Sequence, residues 1–164
     1  MHNLITIIAK DFIVIPLLIA LVVWLRLDRH HKKEFIVLAA GSAVITLALA
    51  VIGSKLFNDP RPFVVGHFTP YFAHGHDNGF PSDHTLLGSL LAFLVYKYDR
   101  KLGGLALIFA LAIGLARVLS GVHHTVDIIG SVVFAALGVS LTAALIHRMS
   151  KQGIRHQLPD AKQQ

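Results

Sequence analysis

The sequence predicts an all-α, polytopic bundle of about five membrane-spanning helices, the third of them short. Three observations predict it. Hydrophobic residues make up 54% of the 164-residue chain and charged residues only 15%, against about 25% charged in a soluble domain, and the mean hydropathy is +0.64. The apolar residues gather in five runs, to be set against the ~20 residues a helix needs to cross a bilayer. The Lys and Arg residues fall mostly at the ends of those runs. The length suits one domain, with residues 1–150 as the membrane-embedded unit and 151–164 as a polar cytoplasmic tail.

The first run extends from Leu4 to Leu25, with Lys10 and Asp11 near one end. Arg26, Asp28, Arg29, His30, His31, Lys32 and Lys33 follow without a small-residue cleavage site, so it reads as a retained anchor and not as a signal peptide. The second run, about Glu34 to Phe57, is rich in Ala, Val, Leu and Ile. The third, Ser82 to Tyr96, would reach only about 22 Å as a helix, and crosses only if its outer end is recessed. The fourth spans Leu102–Leu119 and the fifth about His124–His147. Between the second and third lies a stretch from Asn58 to Pro81 rich in Pro, Gly, His and Asp, which marks a loop. Gly103, Gly104, Gly130, Ser131, Ala135, Ala136 and Gly138 suit close helix packing.

If all five runs cross, the fifteen Lys and Arg divide unequally. Arg26, Arg29, Lys32, Lys33, Lys97, Arg100, Lys101, Arg148, Lys151, Arg155 and Lys162 share one side; Lys10, Lys55, Arg61 and Arg117 lie on the other. The positive-inside tendency makes the richer side cytoplasmic, and with it the C-terminus. With no cysteine, disulfides and thiolate metal sites are excluded. The net charge of +6 does not form a basic stripe with interleaved aromatics, so the expected partners are membrane lipids and not nucleic acid.

Three polar clusters fall at the outer ends of the runs: Arg61-Pro62-Phe63 after Lys55, Pro81-Ser82-Asp83-His84, and Arg117, Gly121, His123 and Asp127 in the pattern R-x3-G-x-H-x3-D. Polar residues converging at a membrane face carry function by default, because they are costly there. His123 and Asp127, four apart, share a face if a helix begins near them. Asp127 can then hold one ring nitrogen and leave the other lone pair outward, as a nucleophilic imidazole requires. Arg61 and Arg117 can clasp phosphoryl oxygens. Ser82 reads as an N-cap opening an anion site, and His84, one turn in, can protonate a leaving oxygen. Plain alternatives stand beside each: Ser82 a cap only, His123–Asp127 a structural hydrogen bond, Arg117 a snorkelling arginine, Arg61-Pro62 a turn. It is the conjunction of all three clusters in this order that argues for a site.

These clusters resemble the three-part signature of the type 2 phosphatidic acid phosphatase superfamily: K-x6-R-P, P-S-G-H and S-R-x5-H-x3-D. The resemblance covers about Ser54 to Asp127. It implies His123 as nucleophile, Asp127 as its orienting partner, His84 as general acid, and Arg61, Ser82 and Arg117 as phosphate binders. Ser54 takes the position of the family lysine, one residue before Lys55, which would rotate Lys55 by about 100° on a helix. Asp83 replaces the glycine and Ala116 the serine. Lys55 and Asp83 therefore stand at the margin of the implied phosphate site. The Pro-Arg-Pro-Phe and Pro-Ser-Asp-His forms resemble the bacterial undecaprenyl-diphosphatase branch. The implied activity is hydrolysis of a polyprenyl diphosphate through a phosphohistidine, in a bacterial inner membrane, with no metal and no cofactor. The alternatives are a phosphatidylglycerophosphate or phosphatidate phosphatase and, from another class, a small anion carrier. His74 and His76 could ligate zinc, but a solvated loop is the simpler reading. His124 reads as a polar residue at a helix start.

Overall fold

The computed structural model describes residues 2–157. It is built of helices in chain order: α1 (His2–Asp11), α2 (Val14–Arg26), α3 (Arg29–Leu56), α4 (Pro62–Val65), α5 (Asp83–Tyr96), α6 (Arg100–Leu119) and α7 (Thr125–Gln157). The first apolar run, expected as one span, is divided into α1 and α2 by a turn at Phe12-Ile13. Pro16 gives the reason. It has no N–H, and its ring would clash with the carbonyl four residues back, that of Phe12; in the first turn of α2 neither matters. Taken together, His2–Arg26 is still long and apolar enough to cross a membrane, as are Arg29–Leu56, Arg100–Leu119 and Thr125–Lys151. With the shorter apolar α5, this is a multi-pass membrane bundle.

Side-chain caps set two of the starts. Asp28 accepts from the N–H groups of His30 and His31 and so begins α3 earlier than the apolar pattern does. Asp99 does the same for α6 through Lys101 and Leu102. The helix α7 continues past Ser150 to Gln157; residues 158–164 of the expected tail lie outside the described residues.

The short α5 is the middle of the bundle. It packs against α6, α7 and α2, while α3 runs along α7 and α1 lies on α6. Eight of its fourteen residues are buried, as expected of a helix apolar all round. A Cβ on Gly41 would stand 2.7 Å from Thr142 Cγ2, so glycine there lets α3 and α7 approach closely. Gly104 faces open space and serves no such contact.

At about 21 Å, α5 falls short of a ~30 Å hydrocarbon core. Its C-terminal end lies by the start of α3, where the rings of Phe35 and Tyr98 are 5.4 Å apart. At its N-terminal end, Asp83 and Leu86 line a cavity with Leu47, Ala50, Val51 and Ser54 of α3, beside the last turns of that longer helix. The N-terminal end of α5 is recessed among its neighbours, with Ser82 and Thr85 fully buried, which places the Pro-Ser-Asp-His cluster down inside the bundle.

Candidate active site

Three segments meet at the recessed end. The segment after α6 turns at Gly121, whose φ of +76° lies in a region that favours glycine; a Cβ there would also strike the Phe68 ring. This turn brings the end of α6 and the start of α7 face to face. Phe63 N–H donates to the Gly121 carbonyl at 3.1 Å and Arg61 Nη1 to the Val122 carbonyl at 3.0 Å, so the Arg-Pro-Phe segment is docked on that same backbone. Ser82 N–H reaches the Asp127 carbonyl at 3.4 Å. Ser131 Oγ donates to the carbonyls of Asp127 and Ser82, tying the first turns of α5 and α7.

His123 precedes α7 and does not lie on it, yet its Nδ1 stands 3.0 Å from Asp127 Oδ2. Asp127 also accepts from the His124 N–H at 2.9 Å. With Nδ1–H directed at the carboxylate, Nε2 keeps its lone pair. Burial pushes the His123 imidazole below the ordinary histidine range, as do the charges of Arg117 and Arg61, although the Asp127 hydrogen bond opposes it. The ring is therefore neutral near pH 7. Both His123 and Asp127 are buried.

Arg61 is buried and held from two sides. Its Nε and Nη2 donate to Asp77 Oδ1 at 3.2 and 3.1 Å, and its Nη1 lies 3.3 Å from His123 Nε2. Burial works against ionisation of Asp77, but the charge and hydrogen bonds of Arg61 outweigh it and leave that carboxyl below the usual carboxylate range. Arg117, equally buried, donates from Nη1 to the Ala9 carbonyl of α1 at 3.2 Å and from Nη2 to His74 Nε2 at 2.7 Å. Its Nε has no partner among the described residues.

Ser82 occupies the N-cap position of α5, but its hydroxyl makes no capping bond; Oγ is 3.2 Å from Thr85 Oγ1. His84 is half-buried on the first turn, near enough to Arg117 and His123 to feel their charges. Asp83 is exposed and lines a cavity of about 320 Å³ with Ser54, Arg61 and Asp77. Lys55 is exposed and does not line it, so Ser54 holds the inward position. His74 and His76 part company: His74 meets Arg117, while His76 packs edge-on against Phe63 at 5.2 Å. The carboxylates of Asp59 and Asp127 and a ring nitrogen of His124 are the set that could hold a cation, their ligand atoms lying within 4.8 Å of one another. His124 Nδ1 is already 3.0 Å from Asp59 Oδ2.

Several members of the site carry no motif. Asp77 anchors Arg61. Asn78 accepts from the Asp59 and Phe80 N–H groups and donates to the Ser54 and Phe57 carbonyls, pinning the loop to the end of α3. His74 meets Arg117. Their one signal in the sequence was the density of His, Asp and Asn just ahead of Pro81-Ser82.

The model of the PAP2 superfamily matches residues 35–151, a range that contains all three clusters. The chain belongs to the PAP2 superfamily. Among curated relatives, this PAP2 chain is similar to the "Bacitracin transport permease protein BcrC" of Bacillus licheniformis, 35% identical over 131 residues. That match covers 75% of this chain and 64% of the relative's length, somewhat under two thirds. It is also similar to the "Undecaprenyl-diphosphatase BcrC" of Bacillus subtilis (strain 168), 31% identical over 138 residues, 84% of this chain and 70% of that protein.

Proposed function

We propose that this protein is a membrane lipid phosphatase that hydrolyses a polyprenyl diphosphate, undecaprenyl diphosphate in the first instance, to the monophosphate and inorganic phosphate. The observation that carries the reading is the meeting of a carboxylate-held imidazole with two buried guanidinium groups at one recessed end of the bundle. Two features favour a lipid substrate. The cavity between α3 and α5 is apolar at Leu47, Val51, Phe80 and Leu86 and polar at Arg61 and Asp77, so a chain can lie there while its head meets Arg61, whose Nη1 stands 3.3 Å from His123 Nε2. The name of the Bacillus subtilis relative points the same way.

In this reading His123 Nε2 attacks the terminal phosphorus, forming an N–P bond as the bridging P–O bond breaks. Arg61 Nη1, which lies 3.3 Å from that nitrogen, turns to a phosphoryl oxygen and frees the lone pair. Arg117 and the N–H groups at the start of α5 hold the remaining oxygens. Asp127 stabilises the positive charge that develops on the ring. His84 gives a proton to the departing lipid phosphate, then takes one from the water that cleaves the N–P bond. A lipid phosphate leaves more readily than an alkoxide, so a diphosphate demands less of His84 than a glycerolipid monoester does.

Purified protein in detergent, offered undecaprenyl diphosphate, phosphatidate and phosphatidylglycerophosphate side by side, is expected to give its highest kcat/KM on the first. A markedly higher value on either glycerolipid would defeat the substrate assignment. The bacterial relatives support a bacterial inner membrane, and the asymmetry of basic residues supports a site facing outward with the C-terminus cytoplasmic. Cysteines placed at His76 and Lys151 and probed in intact cells with an impermeant thiol reagent should react at 76 alone; reaction at 151 alone would invert the topology.

A further inference from the structure

Each guanidinium points a donor at an imidazole: Arg61 Nη1 at His123 Nε2, and Arg117 Nη2 at His74 Nε2. The two rings stand edge to face with centroids 6.0 Å apart. His123 is accounted for by the chemistry above. His74 is not: it belongs to no motif and comes from the loop ahead of α5. It nonetheless takes a donor that a phosphate oxygen would take, beneath the cover of Phe72, whose ring lies 5.8 Å from the Arg117 guanidinium carbon.

We propose that His74 is a specificity-determining residue for diphosphates, which takes up a proton as the ligand arrives and changes from acceptor of the Arg117 hydrogen bond to donor toward a phosphate oxygen. This rests on the phosphatase reading of the site and extends it. Nε2 accepts from Arg117, so a neutral ring carries its proton on Nδ1. Once protonated, Nε2 can no longer accept, and one proton from solvent therefore sets both Nη2 of Arg117 and Nε2–H of His74 free to face the ligand. No bond to phosphorus is made or broken in this step.

The charged and titratable groups facing His74 are Arg61 and Asp77, Arg117 of α6, and His123 ahead of α7. Burial and the positive charges among these push the imidazole down to about 4, with Asp77 opposing, so without a bound anion it is neutral at pH 7. A diphosphate carries more negative charge than a monoester, and nearby negative charge favours the imidazolium. The extra charge is thus what distinguishes the two ligands at His74. The sign follows from linkage: a group whose affinity for protons rises on binding makes binding tighter as pH falls through its bound value, a gain complete below about 4.

The test is calorimetric titration of the full chain in detergent with methylene diphosphonate, whose P–C–P bridge cannot be hydrolysed. Measured at pH 7 in two buffers of different ionisation enthalpy, the heats give the protons taken up. The wild type should take up as much as about one proton more than His74→Gln, which keeps an acceptor for Arg117 but does not titrate. It should also bind about 10-fold more tightly, as befits one charge-assisted hydrogen bond. With methylphosphonate, which has a single phosphorus, the difference in proton uptake should shrink. Equal proton uptake by both proteins with normal binding would overturn the role of His74 and leave the phosphatase reading intact. No binding of either phosphonate by either protein would overturn both.

Discussion

The two ends of this bundle are held together by different forces, although the same helices run through both. At one end Phe35, Leu38, Leu94, Val95, Ala135 and Val139 form a closed apolar cluster. At the other the buried polar groups include Arg61, Ser82, Arg117, His123, Asp127 and Ser131, nearly all hydrogen-bonded to backbone or to one another. The change occurs within single helices: α5 passes from Ser82 and Thr85 to Leu94 and Val95, α7 from Asp127 and Ser131 to Ala135 and Val139. In lipid, burying an apolar side chain between helices gains close packing and little hydrophobic drive, so the apolar end contributes fit. The polar end contributes directed bonds, which fix side-chain positions more sharply than apolar packing does. Fold and chemistry are thereby separated along the bundle axis.

Substitutions should separate the same way. His123→Ala is expected to lower kcat by at least about 10³-fold through loss of the nucleophile, and Asp127→Asn by about 10²–10⁴-fold. Both should leave thermal unfolding in detergent near its wild-type value. A His123→Ala protein with near-normal turnover would end the phosphohistidine reading. At the other end, Leu94→Ala should destabilise by about 2–4 kcal/mol, while the fraction that remains folded turns over normally. A specific loss of kcat there without loss of stability would blur the division. The smallest effect is expected from EDTA, which should change turnover by less than about two-fold, since Arg61 and Arg117 supply the positive charge a metal would otherwise bring to the phosphoryl oxygens. Abolished activity, restored by a divalent cation, would turn attention to Asp59, His124 and Asp127.

The helices were legible in the sequence because apolar runs of this length have few alternatives, and the shortness of the third was visible in advance. Pro16 carried the break between α1 and α2 as well, but an apolar run that continues on both sides hides it. That Ser54 and not Lys55 turns inward followed from the family spacing K-x6-R-P together with the ~100° that one residue turns on a helix. The meeting of His123 and Asp127 was readable from their spacing, although it arises from a turn at Gly121 and not from a shared helix. The contacts of His74, Asp77 and Asn78 were not readable. They depend on how one long loop folds back over the bundle, and nothing local in a loop fixes which of its histidines turns inward. The Ala9 contact was hidden for another reason, being made by the main chain.

That contact gives α1 a task apart from anchoring. One donor of Arg117 ends on the carbonyl of Ala9, in a helix that precedes the matched range of 35–151. Any residue at position 9 offers the same oxygen, so the demand there is on size: Ala9 is fully buried, and a larger side chain would push the helix away. Displacing α1 would strand a buried guanidinium donor, at a cost of about 1–3 kcal/mol, and would let Arg117 swing. An affinity tag fused ahead of His2 that shifts α1 therefore reaches the phosphate site itself. Expression yield would not register the damage, and preparations tagged at that end are better judged by turnover.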